Sequence, residues 1–442
     1  MSPSDPAPAS EPAFAEVAVV EPVGRRLHGK VRLPGSKSLT NRALVCASLA
    51  PGTSELSGAL FADDTLAMVE CLGLLGAEIE LDATRATMVV HAPDRLGQRS
   101  ARLNARQSGT TGRFVLPLAA LGRASITVDG HAQLRHRPFA PLLRALAELG
   151  AEVVALERPD CLPVTLKGPL AGGAVAVGGD VSSQFLSALV LAAPAMGEGL
   201  DLRITTELVS ASYLTMTLRV MEAFGVRAEV AVDGDGLRKV VVAPSRYRSR
   251  SYAIEPDASA ASYFLAAAAI TRGEIELEGL GTASLQGDVA FVDFLEQMGA
   301  RIERFSTRTL LRADAPLRGI CADLSDCSDL APTLAVVASF ATTPSELHGI
   351  GFIRHKESDR IAAIVTELRR AGIAAEDLGD GIKVTPGPAR RARLRTYDDH
   401  RIAMSLALLG LVGEGIEIEN PGCVAKTFPD YFTRLGHLAK SA

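Results

Sequence analysis

The chain has 442 residues, 47% of them apolar and 22% charged, which is globular composition well away from the polar, highly charged regime of disordered chains. Lys and Arg number 46 against 51 Asp and Glu, so a net charge of -5 offers no global basic field for nucleic acid, and 5% aromatic residues without a Trp offer no base-stacking platform. Any anion site has to be local. The longest apolar stretch, Ile402 to Val412, falls short of the ~18 residues of a membrane span, and the amino terminus lacks a charged start followed by an apolar core, so a cytoplasmic protein without membrane contact is expected.

In chain order, residues 1–22 are rich in Pro, Ala, Ser and Glu without period and are expected to form a disordered tail. Beyond it one signature recurs: an amphipathic helix ending at Gly, then an alternating strand. Its glycines are Gly76, Gly150, Gly225, Gly299 and Gly372, about 74 residues apart, with Gly436 as an expected sixth. One such helix-ending Gly is ordinary, but a constant period marks a repeat. A second helix recurs in each period, built almost wholly of Ala, Leu and Val and therefore expected to be buried all round. Its openings are SKSLTNRA from Ser36, SGTTGRF from Ser108, SSQFLSAL from Ser182, DASAASYF from Asp257, SDLAPTLA from Ser328 and DDHRIAMS from Asp398. With short alternating runs such as ITVDG and LPVTLKG between them, each unit reads as strand, helix, strand, helix, strand, strand. Six such α/β units fill the chain.

Side chains that are costly in a core gather at these helix starts. In one class they are Lys37, Ser38 and Arg42; Thr110 and Arg113; Ser182, Ser183 and Gln184; Asp329; His400 and Arg401. In the other they are Asp63 and Asp64; Arg135 and Arg137; Ser210 and Tyr213; Gln286 and Asp288; Lys356, Glu357, Asp359 and Arg360; Lys426 and Asp430. A helix amino terminus already attracts anions, and Arg or Lys there opposes the dipole unless phosphate or carboxylate lies between. Taken singly, Ser and Asp are ordinary caps, HKESDR (355–360) is alternating charge on an exposed helix, and His136 and His400 are polar surface. Recurrence carries the inference.

GSKS at 35–38 lacks P-loop spacing, and neither the glycines near 178 nor those near 350 form a dinucleotide fingerprint. The six cysteines (Cys46, Cys71, Cys161, Cys321, Cys327, Cys423) form no CxxC pair and no His lies at zinc-ligand spacing, so free core thiols and no metal are expected. Several cations, two acid/base carboxylates (Asp329, Glu357), a serine pair and an amide describe a cofactor-free transferase joining two small anions.

Seven motifs in order, LPGSKSLTNRALVCASLA, SGTTGRF, DVSSQFLSAL, EPDASAASYFLAAAAI, IRHKESDRI, YDDHRIAM and AKTFPDYF, closely resemble the 5-enolpyruvylshikimate-3-phosphate synthase family from about residue 24 onward. The resemblance implies a two-lobed enolpyruvyl-transferase fold with three units per lobe: residues 23–35 with 255–442 as one lobe, carrying the catalytic carboxylates, and 36–254 as the other, binding shikimate 3-phosphate, with the site in the cleft between. It implies transfer of the enolpyruvyl group of phosphoenolpyruvate to the 5-hydroxyl of shikimate 3-phosphate with release of phosphate, no cofactor, and a shikimate-pathway role. By the same resemblance Asp329 is the base, Glu357 the proton donor, and Lys37 touches both substrates. Shikimate 3-phosphate is expected on Lys37, Ser38, Arg42, Ser182, Ser183, Gln184, Ser210, Asp329 and Lys356; phosphoenolpyruvate on Lys37, Gly109, Arg137, Gln184, Arg360, Arg401 and Lys426. Arg113 supports the same pocket. A cleft within one chain makes a monomer the expectation.

The family's frequent Asn-Ala-Gly-Thr is Gln107-Ser108-Gly109-Thr110 here, Phe114 stands where Pro is frequent, and Phe352 replaces an Asn that some members use. Retention of Gly109 implies inhibition by glyphosate at the phosphoenolpyruvate site. The sister family acting on UDP-N-acetylglucosamine shares the repeats, but GHAQLRHRP (130–138) lacks its loop Cys and Ser38 replaces its Asn. A silent anion-binding repeat protein or an RNA-end-processing relative need not keep Lys37, Asp329 and Glu357 together.

Overall fold

The computed structural model describes residues 16–234 and 236–441. Within them are six small sheets, five of four strands and one of three. The stretch from Ala101 to Lys167 shows how a unit is built. Strand Ala101–Asn104, helix Gly109–Ala119, strand Ile126–Asp129, helix Ala140–Glu148 and strands Glu152–Ala155 and Val164–Lys167 follow one another. The first two strands pair in parallel, Leu103 opposite Val128, and the others antiparallel. Alternation puts Val164 and Leu166 inside and leaves Lys167 exposed, the period-2 pattern of a sheet with one buried face.

Gly76, Gly150, Gly225, Gly299 and Gly372 all have positive φ, the conformation that lets a helix end and the chain turn into the next strand. Gly436 corrects the expectation of a sixth: it lies inside the Tyr431–Ser441 helix, not at its end. The last sheet contains only Ala392–Leu394 and Ile416–Glu419 of that unit and is completed by Val17–Val20, antiparallel, with Val17 opposite Glu419. This corrects the boundary of the expected tail. Residues 1–15 of it lie outside the described residues, whereas apolar Val-Ala-Val-Val at 17–20 finds a sheet edge to cover.

Two strands are exchanged between distant parts of the chain. His28–Val31 pairs in parallel with Glu274–Glu278, and Ser251–Ala253 pairs in parallel with Gly52–Ser57. The segments that follow these two strands run past each other in antiparallel contact: the Ser36 amide donates to the Glu255 carbonyl at 2.8 Å and the Asp257 amide to the Pro34 carbonyl at 2.9 Å. At Gly35 a Cβ would stand 1.9 Å from the Gly58 carbonyl oxygen, so no other residue fits between the crossing strands.

The buried apolar side chains separate accordingly into two clusters, one drawn from 39–254 and the other from 20–33 with 258–438. The Ala- and Leu-rich helices form their centres; all residues of Ala258–Ile270 are buried, as its all-round apolar sequence requires. Cys46, Cys71 and Cys327 are buried thiols, but Cys321 is exposed at the start of an edge strand, which corrects its placement in the core. Among the described residues no helix is long and apolar enough to cross a membrane.

Candidate active site

Five of the six buried helices open on a side chain that closes their first turn. Ser36 accepts from the Leu39 amide, Ser108 from Thr111, Ser182 from Gln184, Asp257 from Ala260 and Asp399 from Arg401. The exception is functional in form. The Ala331–Ala338 helix is entered through a tight turn, Ser328–Leu330, without a side-chain cap, which leaves the Asp329 carboxylate to reach into the space between the two clusters.

There Asp329 Oδ1 accepts from Arg360 Nη1 at 2.8 Å and Oδ2 from Arg401 Nη2 at 2.6 Å, with Lys356 Nζ 4.0 Å away. The same Arg360 donates through Nη2 to Glu357 Oε2 at 2.7 Å and through Nε to Asp399 Oδ2 at 2.8 Å. HKESDR is therefore no exposed helix. Asp359 caps the helix Arg360–Arg370, and the preceding turn aims Lys356, Glu357 and Arg360 inward. From the 39–254 half, Arg137 Nη1 approaches Glu357 Oε1 at 3.3 Å, and the Gln133 amide donates to the Glu357 carbonyl at 2.5 Å. Asp64 lies between Lys37 and Lys426, 3.3 Å from each Nζ, and Lys426 Nζ is 3.7 Å from Glu357 Oε1.

Burial opposes ionisation of both acids, yet the surrounding cations win. Arg401, Lys356, Arg360 and Lys37 hold the Asp329 carboxyl well below the usual carboxylate range, and Arg137, Arg360 and Lys426 do the same for Glu357. Lys356 is lowered to about 8, burial outweighing the pull of Asp329.

Two polar cavities share this wall. One is lined by Ser38, Ser182, Ser183, Ser210 and Phe352 together with Lys37, Gln184, Asp329 and Lys356. The other is lined by Gly109, Arg137, Glu357, Arg360 and Arg401 with Lys37, Gln184 and Asp329. Lys426 stands at the side of the second, bonded to Asp64 and to the Gln107 carbonyl. Arg42 is the departure among the expected contacts. It is buried behind the wall, donating to Thr217 Oγ1 at 2.7 Å and to the Ser38 and Tyr213 carbonyls, with its guanidinium over the Phe114 ring. Phe114 thus packs under Arg42, and Phe352 lies beside Lys356, 5.7 Å from its Nζ. Arg113 is also buried; it donates to Gln184 Oε1 at 2.6 Å and sets that amide.

Several members of the wall carried no assigned role in the sequence. Asp64 and Tyr213 were visible as polar residues at helix starts, and Asp399 lies in the DDHR opening, but which cation each would meet depends on contacts between halves far apart in sequence. His400 is not surface: it is 1% exposed, its ring nitrogens have no hydrogen-bond partner among the described residues although Nδ1 lies 3.8 Å from Asp399 Oδ1, and burial pulls the imidazole well below its usual range. His136 is exposed. Arg135 is tied to Asp129 and Glu157 outside the wall.

A wall of cations drawn from two halves of one chain, with two ionised carboxylates held among them, defines a transferase that handles small anions. The sequence profile of EPSP synthase (3-phosphoshikimate 1-carboxyvinyltransferase) matches residues 22–435. The 3-phosphoshikimate 1-carboxyvinyltransferase of Nostoc punctiforme is 42% identical over 421 residues, 93% of this chain and 97% of that one. The chloroplastic enzyme of that name from Brassica napus is 39% identical, over 96% of this chain and 86% of its own. An EPSP synthase structure from Acinetobacter baumannii superposes with a TM-score of 0.78 over 96% of this chain and 98% of that one, at 24% identity. The chain belongs to the EPSP synthase family.

Proposed function

We infer that this enzyme transfers the enolpyruvyl group of phosphoenolpyruvate to the 5-hydroxyl of shikimate 3-phosphate, releasing phosphate, as a shikimate-pathway step toward aromatic amino acids. Family membership supports the reaction. The observation that carries the assignment of roles is Arg360, bonded to Asp329 at 2.8 Å and Glu357 at 2.7 Å, which sets two carboxylates on either side of one cation.

Shikimate 3-phosphate occupies the serine-rich cavity, its phosphate on Ser182, Ser183 and Ser210 and its ring hydroxyls on Asp329 and Lys356. Ser38 and Lys37 close that cavity, and Arg42 holds Ser38 and Tyr213 from behind. Phosphoenolpyruvate lies against Arg137, Arg360, Arg401 and Lys426 beside Gly109, with Lys37 and Gln184 between the two substrates. Asp329 takes the proton of the 5-hydroxyl as its oxygen bonds to the enol carbon, and Glu357 protonates the methylene. The tetrahedral intermediate then returns a methyl proton and expels phosphate. Glu357 must be protonated to begin. Phosphoenolpyruvate anions supply the means, since they compete for Arg137, Arg360 and Lys426, the cations that keep Glu357 ionised, and leave burial to raise its carboxyl. The two clusters act as lobes, 23–35 with 255–442 and 36–254, that part to admit substrate and close to exclude water. The active site lies within one chain, and a monomer suffices.

The test is phosphate release with both substrates, beside reactions with UDP-N-acetylglucosamine and without acceptor. Release with shikimate 3-phosphate alone is the expected result; release with the nucleotide sugar, or none from folded protein, refutes the assignment.

Gly109 gives a second expectation. A Cβ there would stand 2.5 Å from Arg137 Nη1 and 2.8 Å from Arg113 Nη1, so Gly109→Ala has to displace the Arg137 guanidinium. Losing one charge-assisted contact, roughly 1.5–3 kcal/mol, raises the phosphoenolpyruvate KM about 10- to 100-fold. Glyphosate inhibits the parent by competing with phosphoenolpyruvate, and the variant shifts that inhibition curve to higher concentration. An unchanged KM and inhibition curve would remove Arg137 from the phosphoenolpyruvate site.

A further inference from the structure

Asp288 is a buried carboxylate that the roles above leave unused. It lies in the turn Gly287–Ala290, is 3% exposed, and forms no ion pair among the described residues. Its side-chain partners are hydroxyls: Ser259 Oγ donates to Oδ2, and Tyr213 Oη lies 3.3 Å from Oδ2 and 3.4 Å from Oδ1. The same Tyr213 hydroxyl is 3.5 Å from Asp329 Oδ2. Tyr213 belongs to the helix Ala211–Ala223 of the other half, so this row of carboxylate, phenol and carboxylate is assembled only where the two halves meet.

We propose that Asp288 stores the proton Asp329 removes from the acceptor hydroxyl, receiving it through the Tyr213 hydroxyl; this rests on the reading of Asp329 as the base. The step balances without any co-reactant. Once the C–O bond has formed, the protonated Asp329 donates to Tyr213 Oη while the Tyr213 O–H proton passes to Asp288. Asp329 is again a carboxylate, Tyr213 again a neutral phenol, and Asp288 a carboxylic acid. No electrons are exchanged, and the reverse passage returns the proton when phosphate leaves.

The electrostatics favour this direction. A protonated Asp329 would strip Arg360 and Arg401 of a counter-charge they hold at 2.8 and 2.6 Å. Asp288 has no such pair to break. Burial and the Asp329 charge raise its carboxyl to about 6, against Arg401 and the Ser259 hydrogen bond, with Asp257 adding to the rise. The remaining titratable groups facing it are the Cys327 thiol, Lys37 across a small cavity that Asp288 and Tyr213 also line, and, across an apolar cavity of about 270 Å³, Asp293 and Arg304. Burial also raises the Tyr213 phenol well above its usual value, which disfavours a free phenolate and favours concerted movement of the two protons.

The experiment compares parent, Asp288→Asn, Tyr213→Phe and the double variant in the phosphate-release assay across pH 5–9. With active parent enzyme, each single variant is expected to lose roughly 10- to 100-fold in kcat, a modest share of acid–base catalysis, with both KM values within about two-fold. The double variant should lose no more than the worse single one, because both changes cut one path. The parent kcat should fall as pH drops through about 6, where Asp288 becomes protonated, and this limb should vanish in Asp288→Asn. Unchanged kcat in Tyr213→Phe overturns the proposal, as does a raised phosphoenolpyruvate KM with kcat kept, which would mean that Asp288 only steadies Ser259 and Arg401. Should Asp288→Asn fail to fold, Tyr213→Phe, which removes only a hydroxyl, still decides by loss of the acid limb. A parent that releases no phosphate refutes the functional reading itself, a distinct result.

Discussion

Glu357→Gln is expected to lower kcat by about 10²- to 10⁴-fold, the usual share of a positioned general acid. The amide keeps the shape of the side chain, and its oxygen can still accept from Arg360, now 2.7 Å from Oε2. It cannot give a proton to the methylene. Both KM values should therefore change little, which separates loss of chemistry from loss of binding. A kcat within about five-fold of the parent would assign protonation to another group, Lys37 first, since it lines both cavities.

Arg360→Met should combine the largest stability loss with loss of activity. Arg360 is 1% exposed and is the shared partner of Asp329, Glu357 and Asp399. Methionine fills similar volume but leaves the buried Asp399 and the half-buried Glu357 and Asp329 carboxylates short of a counter-charge, and removing one partner of a buried ion pair costs about 3–5 kcal/mol. Urea unfolding monitored by circular dichroism should show that loss at neutral pH. In the parent, Asp329 and Glu357 are held below their usual values, so their stabilisation is present above unfolded values of about 3.9 and 4.3 and is lost as pH falls toward the depressed native ones. Without Arg360 the native values rise, so the gap between the proteins should narrow below about pH 4. A loss under about 1 kcal/mol at neutral pH would show that the other cations suffice.

The units were legible because each repeats local rules: a positive-φ Gly such as Gly225 ends a helix, and alternation as in Glu274–Glu278 marks a half-buried strand. The end of the pattern was not, since whether Val17–Val20 is tail or strand depends on an open sheet edge 400 residues away, Ala18 facing Ile418. In the site, chemical type and helix-start position pointed to Lys37, Asp329, Glu357 and Arg360. They could not separate Arg42, whose donors are consumed by Thr217 and two carbonyls, from Arg401, whose guanidinium reaches Asp329. Both are Arg within the first two turns of a buried helix, Arg42 six residues past its cap and Arg401 two. Only packing against the adjoining helix distinguishes them.

The exchanged strands also set an order of events during synthesis. Lys30 and Glu276 touch across a separation of 246 residues, so His28–Val31 leaves the ribosome long before its sheet exists. At about 5–20 residues per second the interval is roughly 12–50 s. In that time the segment 36–254, closed by its own borrowed strand Ser251–Ala253, can collapse and mature as a unit. Strands Val17–Val20 and His28–Val31 are thus among the last to find their place, and the nascent chain carries them unpaired for much of its translation.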